Sequence, residues 1–149
     1  GPVIGICQAA VQVAMTISRR FSIVTTLPRS VPIIEDLVSY YGAERHCRKV
    51  RAINLPVLRL EEDPVEAERL LRQEIELAKQ EDRAEAIILG AGMSLLCTRL
   101  NKATGIPVID GVTAAIKVAE ALVGAGYATS KVNTYDYPRI KVGGCKVVV

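Results

Sequence analysis

"EAIILGAGMSLLCTRL", Glu85–Leu100, reads as a buried strand that runs into a glycine-bearing turn and then a helix. Ala86–Leu89 is apolar at every position. That is the pattern of a strand covered on both faces, as in a parallel sheet, rather than the alternation of a half-exposed one. Gly90, Ala91 and Gly92 follow. Residues this small let backbone N–H groups approach a ligand closely, and the start of the next helix favours negative charge there. A phosphate or a developing enolate oxygen would suit such a turn, and so would a tight strand-to-helix connection with no ligand. The third glycine of a dinucleotide fingerprint and the Lys-Ser/Thr of a P-loop are both missing, so neither nucleotide motif is met.

Working outward, strand-like runs alternate with helical periodicity. "PVIGI" at Pro2–Ile6 is expected to be a strand, followed by a helix over Gln8–Arg19 with Ala10, Val13, Ala14 and Ile17 on one face. "FSIVTTL", Phe21–Leu27, is a second strand ending in Thr25–Thr26. Ser30 is the expected N-cap of a helix that tolerates Pro32 in its first turn and stops at Gly42. "VRAINLPVLRL", Val50–Leu60, is expected as a strand broken by Pro56. Asp63, Pro64 and Glu66 form the clearest helix start, with a capping-box spacing, for a helix to about Gln80 that buries Leu70, Leu71, Ile75 and Ala78. A helix over Ser94–Ala103, the strand "IPVIDG" and a helix with Val112, Ala115, Ile116, Ala119 and Leu122 inward complete the pattern. The fold class is therefore α/β, a parallel sheet flanked by helices on both faces. Beyond Gly126 the periodicity lapses into a polar tail ending in "KVVV", expected as a strand or a disordered extension.

With 149 residues, half of them hydrophobic, the chain can bury one substantial core. Its +3 charge arises from 19 basic and 16 acidic residues scattered along the sequence. Nucleic-acid binding needs a concentrated basic face and aromatic platforms, and this chain has one Phe, five Tyr and no Trp. Cys7, Cys47, Cys97 and Cys145 share no metal-ligand spacing, and the lone His46 completes none, so no metal is implied. No apolar run is long enough to span a bilayer. A small-molecule partner and a reducing cytoplasm are the expectations. The chain enters an apolar run at once from Gly1–Pro2, so the written sequence is expected to start within a domain or after a protease scar.

In open parallel sheets, ligands bind beyond the carboxyl ends of the strands. That rule selects Gly5, Thr25, Thr26, Asn54, Gly90, Ala91, Gly92, Asp110 and Gly111 as a candidate rim. Asp110 reads as an N-cap for the helix that begins near Val112 ahead of any catalytic role. Cys7, Cys47 and Cys97 read as buried fillers rather than nucleophiles, since nothing in the sequence places a base beside any of them.

Four segments, "PVIGICQAA", "RRFSIVTTLPRSVPIIEDLVSYYG", "QEDRAEAIILG" with the "AGM" after it, and "GIPVIDGVTAAIKVAEALV", together resemble the hydantoin and allantoin racemases of the aspartate/glutamate racemase superfamily. The likeness spans about residues 2–130. It implies two similar α/β domains facing across a cleft, with residues 3–110 in the second domain and residues 111–149 returning to a first domain whose opening portion is absent. It further implies cofactor-independent inversion of a carbon beside a carbonyl, with two cysteines exchanging the roles of base and acid. A homo-oligomer is implied too. Thr25, Thr26, Gly90, Ala91, Gly92, Asp110 and Gly111 would then contact the substrate.

One departure stands out. The family motif Leu-Gly-Cys-Ala-Gly-Met appears here as Leu89, Gly90, Ala91, Gly92 and Met93, without the cysteine between Gly90 and Ala91. Its partner thiol would lie upstream of Gly1, and Gln8 stands where relatives often carry Glu. Either the polypeptide lacks the residue, or a modified cysteine stands there, such as an oxidised low-pKa thiol. The position of the gap, on the most reactive residue of a matching motif, favours the second. Cys97 lies more than a helical turn beyond Gly92 and is not a ready substitute, and Cys7 matches no catalytic position.

Overall fold

The computed structural model describes residues 1–90 and 93–139. In chain order it contains α1 (Ile6–Ile17), β1 (Phe21–Thr25), α2 (Val31–Tyr40), β2 (Cys47–Ala52), α3 (Val57–Glu62), α4 (Pro64–Leu77), β3 (Ala86–Leu89), α5 (Cys97–Thr104), β4 (Val108–Asp110) and α6 (Gly111–Gly124). The strands form one parallel sheet in the order β2-β1-β3-β4. Each parallel neighbour requires a crossover, and the helices between strands supply it.

Alternation along the central strands divides the core into two layers. Phe21, Ile23, Ala86, Ile88 and Ile109 point to one face, where Ala9, Ala10, Val11 and Ala14 of α1, Val38 of α2 and Ala114 of α6 cover them. Val24, Ile87, Leu89 and Val108 point to the other, beneath Leu71 and Ile75 of α4 and Cys97 and Leu100 of α5. Burial on both faces is why these strands carry continuous apolar runs.

Several boundaries differ from the sequence expectations. Residues 2–5 make no ladder: Gly5 is extended (φ −74°, ψ 139°) and ends the segment at the start of α1, while the Val3 N–H donates to Thr129 Oγ1 at 2.8 Å. Val3 and Ile4 have strand propensity, but among the described residues no strand lies beside them to pair with. Ser30 has helical backbone angles and makes no side-chain cap, since a 3-10 turn over Pro28–Ser30 already leads into α2. β2 begins earlier than expected, at Cys47, and ends at Ala52. Beyond it Asn54 takes a left-handed φ of 56° and Pro56 opens α3, so the apolar run Val57–Leu60 is helical.

The expected start of α4 is found. Asp63 accepts from the Glu66 N–H at 3.1 Å and Pro64 occupies the first turn. The reciprocal half of the capping box is replaced, because the Glu66 carboxylate takes a two-pronged ion pair from Arg69 (2.7 and 2.8 Å). At its far end α4 widens into a π-type turn over Ala78–Asp82, closed by Arg83 in left-handed conformation.

The inward face of α6 is rotated from the expected one. Gly111 and Ala114 are buried, whereas Val112 and Ile116 are about half exposed. Small residues draw α6 close to α1, where Ala10 is also small, so the larger side chains are left on the outside. On α1, Ala9, Ala10, Val11 and Ala14 are buried and Ile17 is exposed.

Candidate active site

The first crossover carries the chain from β1 outward to β2, and the next returns it past β1 to β3. The direction of winding therefore reverses between β1 and β3. The connections that leave their carboxyl ends diverge to opposite sides at this switch point, where doubly wound sheets form a ligand crevice. Thr25 and Thr26 end β1, and Gly90 follows β3. The sheet thus brings together residues 64 positions apart, counting from Thr26 to Gly90.

Thr25 and Thr26 are buried, and their carbonyls accept from Ile53 N–H and Leu55 N–H, both at 3.1 Å. The Gly90 N–H donates to the Val24 carbonyl at 2.9 Å. A Cβ on Gly90 would lie 3.1 Å from Thr25 Oγ1 and 3.3 Å from Thr25 Cα. A side chain at position 90 would press on Thr25, whose backbone is held in the central strand and has little room to give. Ala91 and Gly92 lie outside the described residues.

Asp110 is next to this crevice, since β4 pairs Asp110 with Leu89. Its carboxylate makes four hydrogen bonds. Oδ1 accepts from Ser94 Oγ at 2.6 Å and from the Val112 N–H at 3.1 Å; Oδ2 accepts from Thr113 Oγ1 at 2.6 Å and from the Thr113 N–H at 3.1 Å. Asp110 is therefore the N-cap of α6. Burial pushes its carboxyl up, but the bonds from Ser94 and Thr113 outweigh this and hold it below the ordinary carboxylate value. Gly111 sits under α1: a Cβ there would come within 2.6 Å of Ile6 Cγ2 and 3.3 Å of the Ile6 carbonyl oxygen. Of the remaining rim candidates, Gly5 begins α1 and Asn54 follows β2.

Ser94 was not a candidate in the sequence. A serine at a helix start is common enough to carry no signal by itself, and its partner Asp110 lies 16 residues on. A cleft of about 420 Å³ opens beside this pair, between α5 and α6 along the outer edge of β4, with Cys97, Asn101 and Lys117 on its walls.

The described thiols are poor acids. Burial pushes Cys97 up to about 12, reinforced by the negative charge of Asp110. Burial likewise takes Cys47 to about 12 and raises Cys7. A proton-abstracting cysteine needs its thiolate, and these environments suppress it. Cys97 in addition donates its thiol to the Met93 carbonyl at 3.8 Å. Among the described residues no group of three or more His, Cys, Asp or Glu side chains is arranged to hold a metal, and no helix is long and apolar enough to cross a membrane.

A glycine after the central strand at the switch point of a β2-β1-β3-β4 sheet belongs to many folds, and the family model for Asp/Glu/Hydantoin racemase narrows them by matching residues 1–119. The chain belongs to the Asp/Glu/Hydantoin racemase family. It is 84% identical over 142 residues to a hydantoin racemase of Rhizobium meliloti, a match covering 95% of this chain and 59% of that protein. A hydantoin racemase of Pseudomonas sp. is 46% identical, with 94% of this chain and 57% of the relative covered. Among solved structures, allantoin racemase from Pseudomonas fluorescens superposes with a TM-score of 0.90 at 48% identity, over 96% of this chain and 62% of that one. Allantoin racemase from Klebsiella pneumoniae gives 0.91 at 44%, over 98% and 60%. The chain thus spans about three fifths of the length of these racemases.

Proposed function

We propose that this chain supplies the second α/β domain of a cofactor-independent racemase that inverts the C5 centre of a 5-substituted hydantoin or of allantoin. The observation that carries the reading is the placement of Thr25, Thr26 and Gly90 at the switch point, in a member of this racemase family. In the proposed reaction, one thiolate removes the C5 proton and the electron pair is delocalised into the adjacent carbonyl. A thiol on the opposite face returns a proton to C5 and becomes the thiolate for the reverse reaction. Thr25, Thr26, Gly90, Ala91 and Gly92 line the substrate, and N–H groups of this rim hold the enolate oxygen as preorganised donors. Asp110 and Gly111 border the same rim. One thiol belongs between Gly90 and Ala91, and the other comes from the facing first domain. Cys7, Cys47 and Cys97 take no part, in keeping with their raised pKa values.

The test is incubation of the full-length protein with one enantiomer of a 5-substituted hydantoin or of allantoin in deuterated solvent. The expected result is loss of optical rotation accompanied by deuterium at C5. Binding of the substrate without exchange would overturn the racemase reading in favour of a ligand-binding domain that keeps the cleft and lacks the thiols. Intact mass of the denatured, reduced full-length protein complements the assay: a mass greater than these 149 residues give, by a first-domain portion and by one cysteine or its oxidised form, is expected.

A further inference from the structure

The four hydrogen bonds on Asp110 fill its acceptor capacity, two to each carboxylate oxygen. Nothing is left with which this carboxylate could accept from a substrate or take up a C5 proton without first breaking one of these bonds. Its partners come from two different places in the fold. Val112 and Thr113 belong to the first turn of α6, and this half of the cluster is an ordinary helix cap. Ser94 belongs to the segment entered after β3, one residue beyond Met93, and it reaches Asp110 across the β3–β4 boundary.

From these contacts we infer that Ser94 is a positioning residue for the racemase site: its hydroxyl, held by Asp110, fixes the Met93–Ser94 segment that follows β3 against the sheet. This deepens the function proposed above and rests on it. On one side Gly90 is held by its N–H on the Val24 carbonyl and by its close approach to Thr25. On the other, Met93 is almost fully buried and its carbonyl accepts the Leu96 N–H at 3.0 Å, and Ser94 bonds a carboxylate at 2.6 Å. A hydroxyl donating to an ionised carboxylate is among the stronger neutral-to-charged contacts available to a side chain. Small displacements of groups that flank a reacting atom cost rate far more than they cost binding. Ser94 therefore acts on turnover by anchoring the Met93–Ser94 segment, with no contact to the substrate required.

Ser94 and Thr113 provide an internal control, because each donates a hydroxyl to the same carboxylate at 2.6 Å. In the full-length protein, Ser94→Ala is expected to lower kcat for C5 deuterium exchange about tenfold or more while KM stays within about twofold. Ser94→Thr, which keeps the hydroxyl, is expected to recover most of the loss. Thr113→Val removes the capping hydroxyl alone and is expected to lower the melting temperature without lowering kcat. Equal kcat losses in Ser94→Ala and Thr113→Val, or unchanged kcat in Ser94→Ala, would overturn the inference. Backbone amide hydrogen exchange without substrate gives a second readout. Exchange at Leu96 is expected to accelerate in Ser94→Ala and to stay unchanged in Thr113→Val. If the unaltered protein exchanges no C5 deuterium, the racemase reading falls, and the amide pattern still decides whether Ser94 anchors this segment.

Discussion

At the scale of single residues, the strongest polar contact lies away from the crevice. Arg51, buried in β2, forks onto Asp82 with Nε to Oδ2 and Nη2 to Oδ1, both at 2.8 Å, while Ser22 Oγ donates to Oδ2 at 2.8 Å. Glu81 (2.6 Å) and Glu74 (3.3 Å) complete the arginine's partners. Burial pushes the Asp82 carboxyl up, but the bonds from Arg51 and Ser22 more than compensate and hold it below its ordinary value. A depressed folded-state pKa stabilises the fold above the unfolded-state value, near 4 for a carboxylate, and that stability is lost as pH falls through the folded value. Asp82→Ala takes the two-pronged partner from a guanidinium that is only 6% exposed and leaves it Glu81 and Glu74. It is expected to cost about 1.5–3 kcal/mol in urea unfolding at neutral pH, and the difference from the unaltered protein should shrink at acid pH. A pH-independent difference would show that packing, not charge, holds the pair. This contact was illegible in the sequence. Asp82 lies 31 residues after Arg51 and past the expected end of the helix at Gln80, and the π-type turn that carries it onto Arg51 has no local sequence signal.

At the scale of elements, the features written locally were legible and those that depend on a neighbour were not. The Asp63–Pro64 start of α4 is encoded within a few residues, and the structure has it. Asp63→Ala removes the bond to the Glu66 N–H and is expected to destabilise the chain by about 1 kcal/mol, measured as a lower urea midpoint with an unchanged slope. Asp63→Asn, which keeps an acceptor oxygen, should recover most of it. By contrast, "PVIGI" and "INLPVLRL" carry apolar and β-branched residues that suit a strand, yet neither stretch yields a strand of its own. Strand propensity describes fitness for a pleated surface, so without a ladder partner it decides little. Gly90 and Thr25 were each legible as strand ends, because an apolar run stops at both. That they touch follows from strand order, which no local pattern records.

At the scale of the molecule, α6 is apolar on two sides. Gly111, Ala114, Ala115 and Val118 turn toward α1 and the sheet, while Val112, Ile116 and Val123 form a second stripe at helical spacing, 45%, 52% and 62% exposed. A helix apolar on both sides is normally covered on both. Here the described residues cover one side, and the chain spans about three fifths of the length of its relatives. A contiguous apolar stripe exposed to water favours association. This polypeptide, prepared by itself, is therefore expected to self-associate as its concentration rises, which sedimentation would report as a growing mean mass. Ile116→Lys interrupts the centre of the stripe without touching Gly111 or Ala114, so it is expected to shift the population toward monomer while leaving the helical circular dichroism unchanged. If the unaltered chain stays monomeric at high concentration, the stripe is not adhesive and the homo-oligomer expectation loses its physical basis. If the full-length protein associates equally with and without the Ile116→Lys change, the stripe is already covered within one chain, and any oligomer contact must lie on another face.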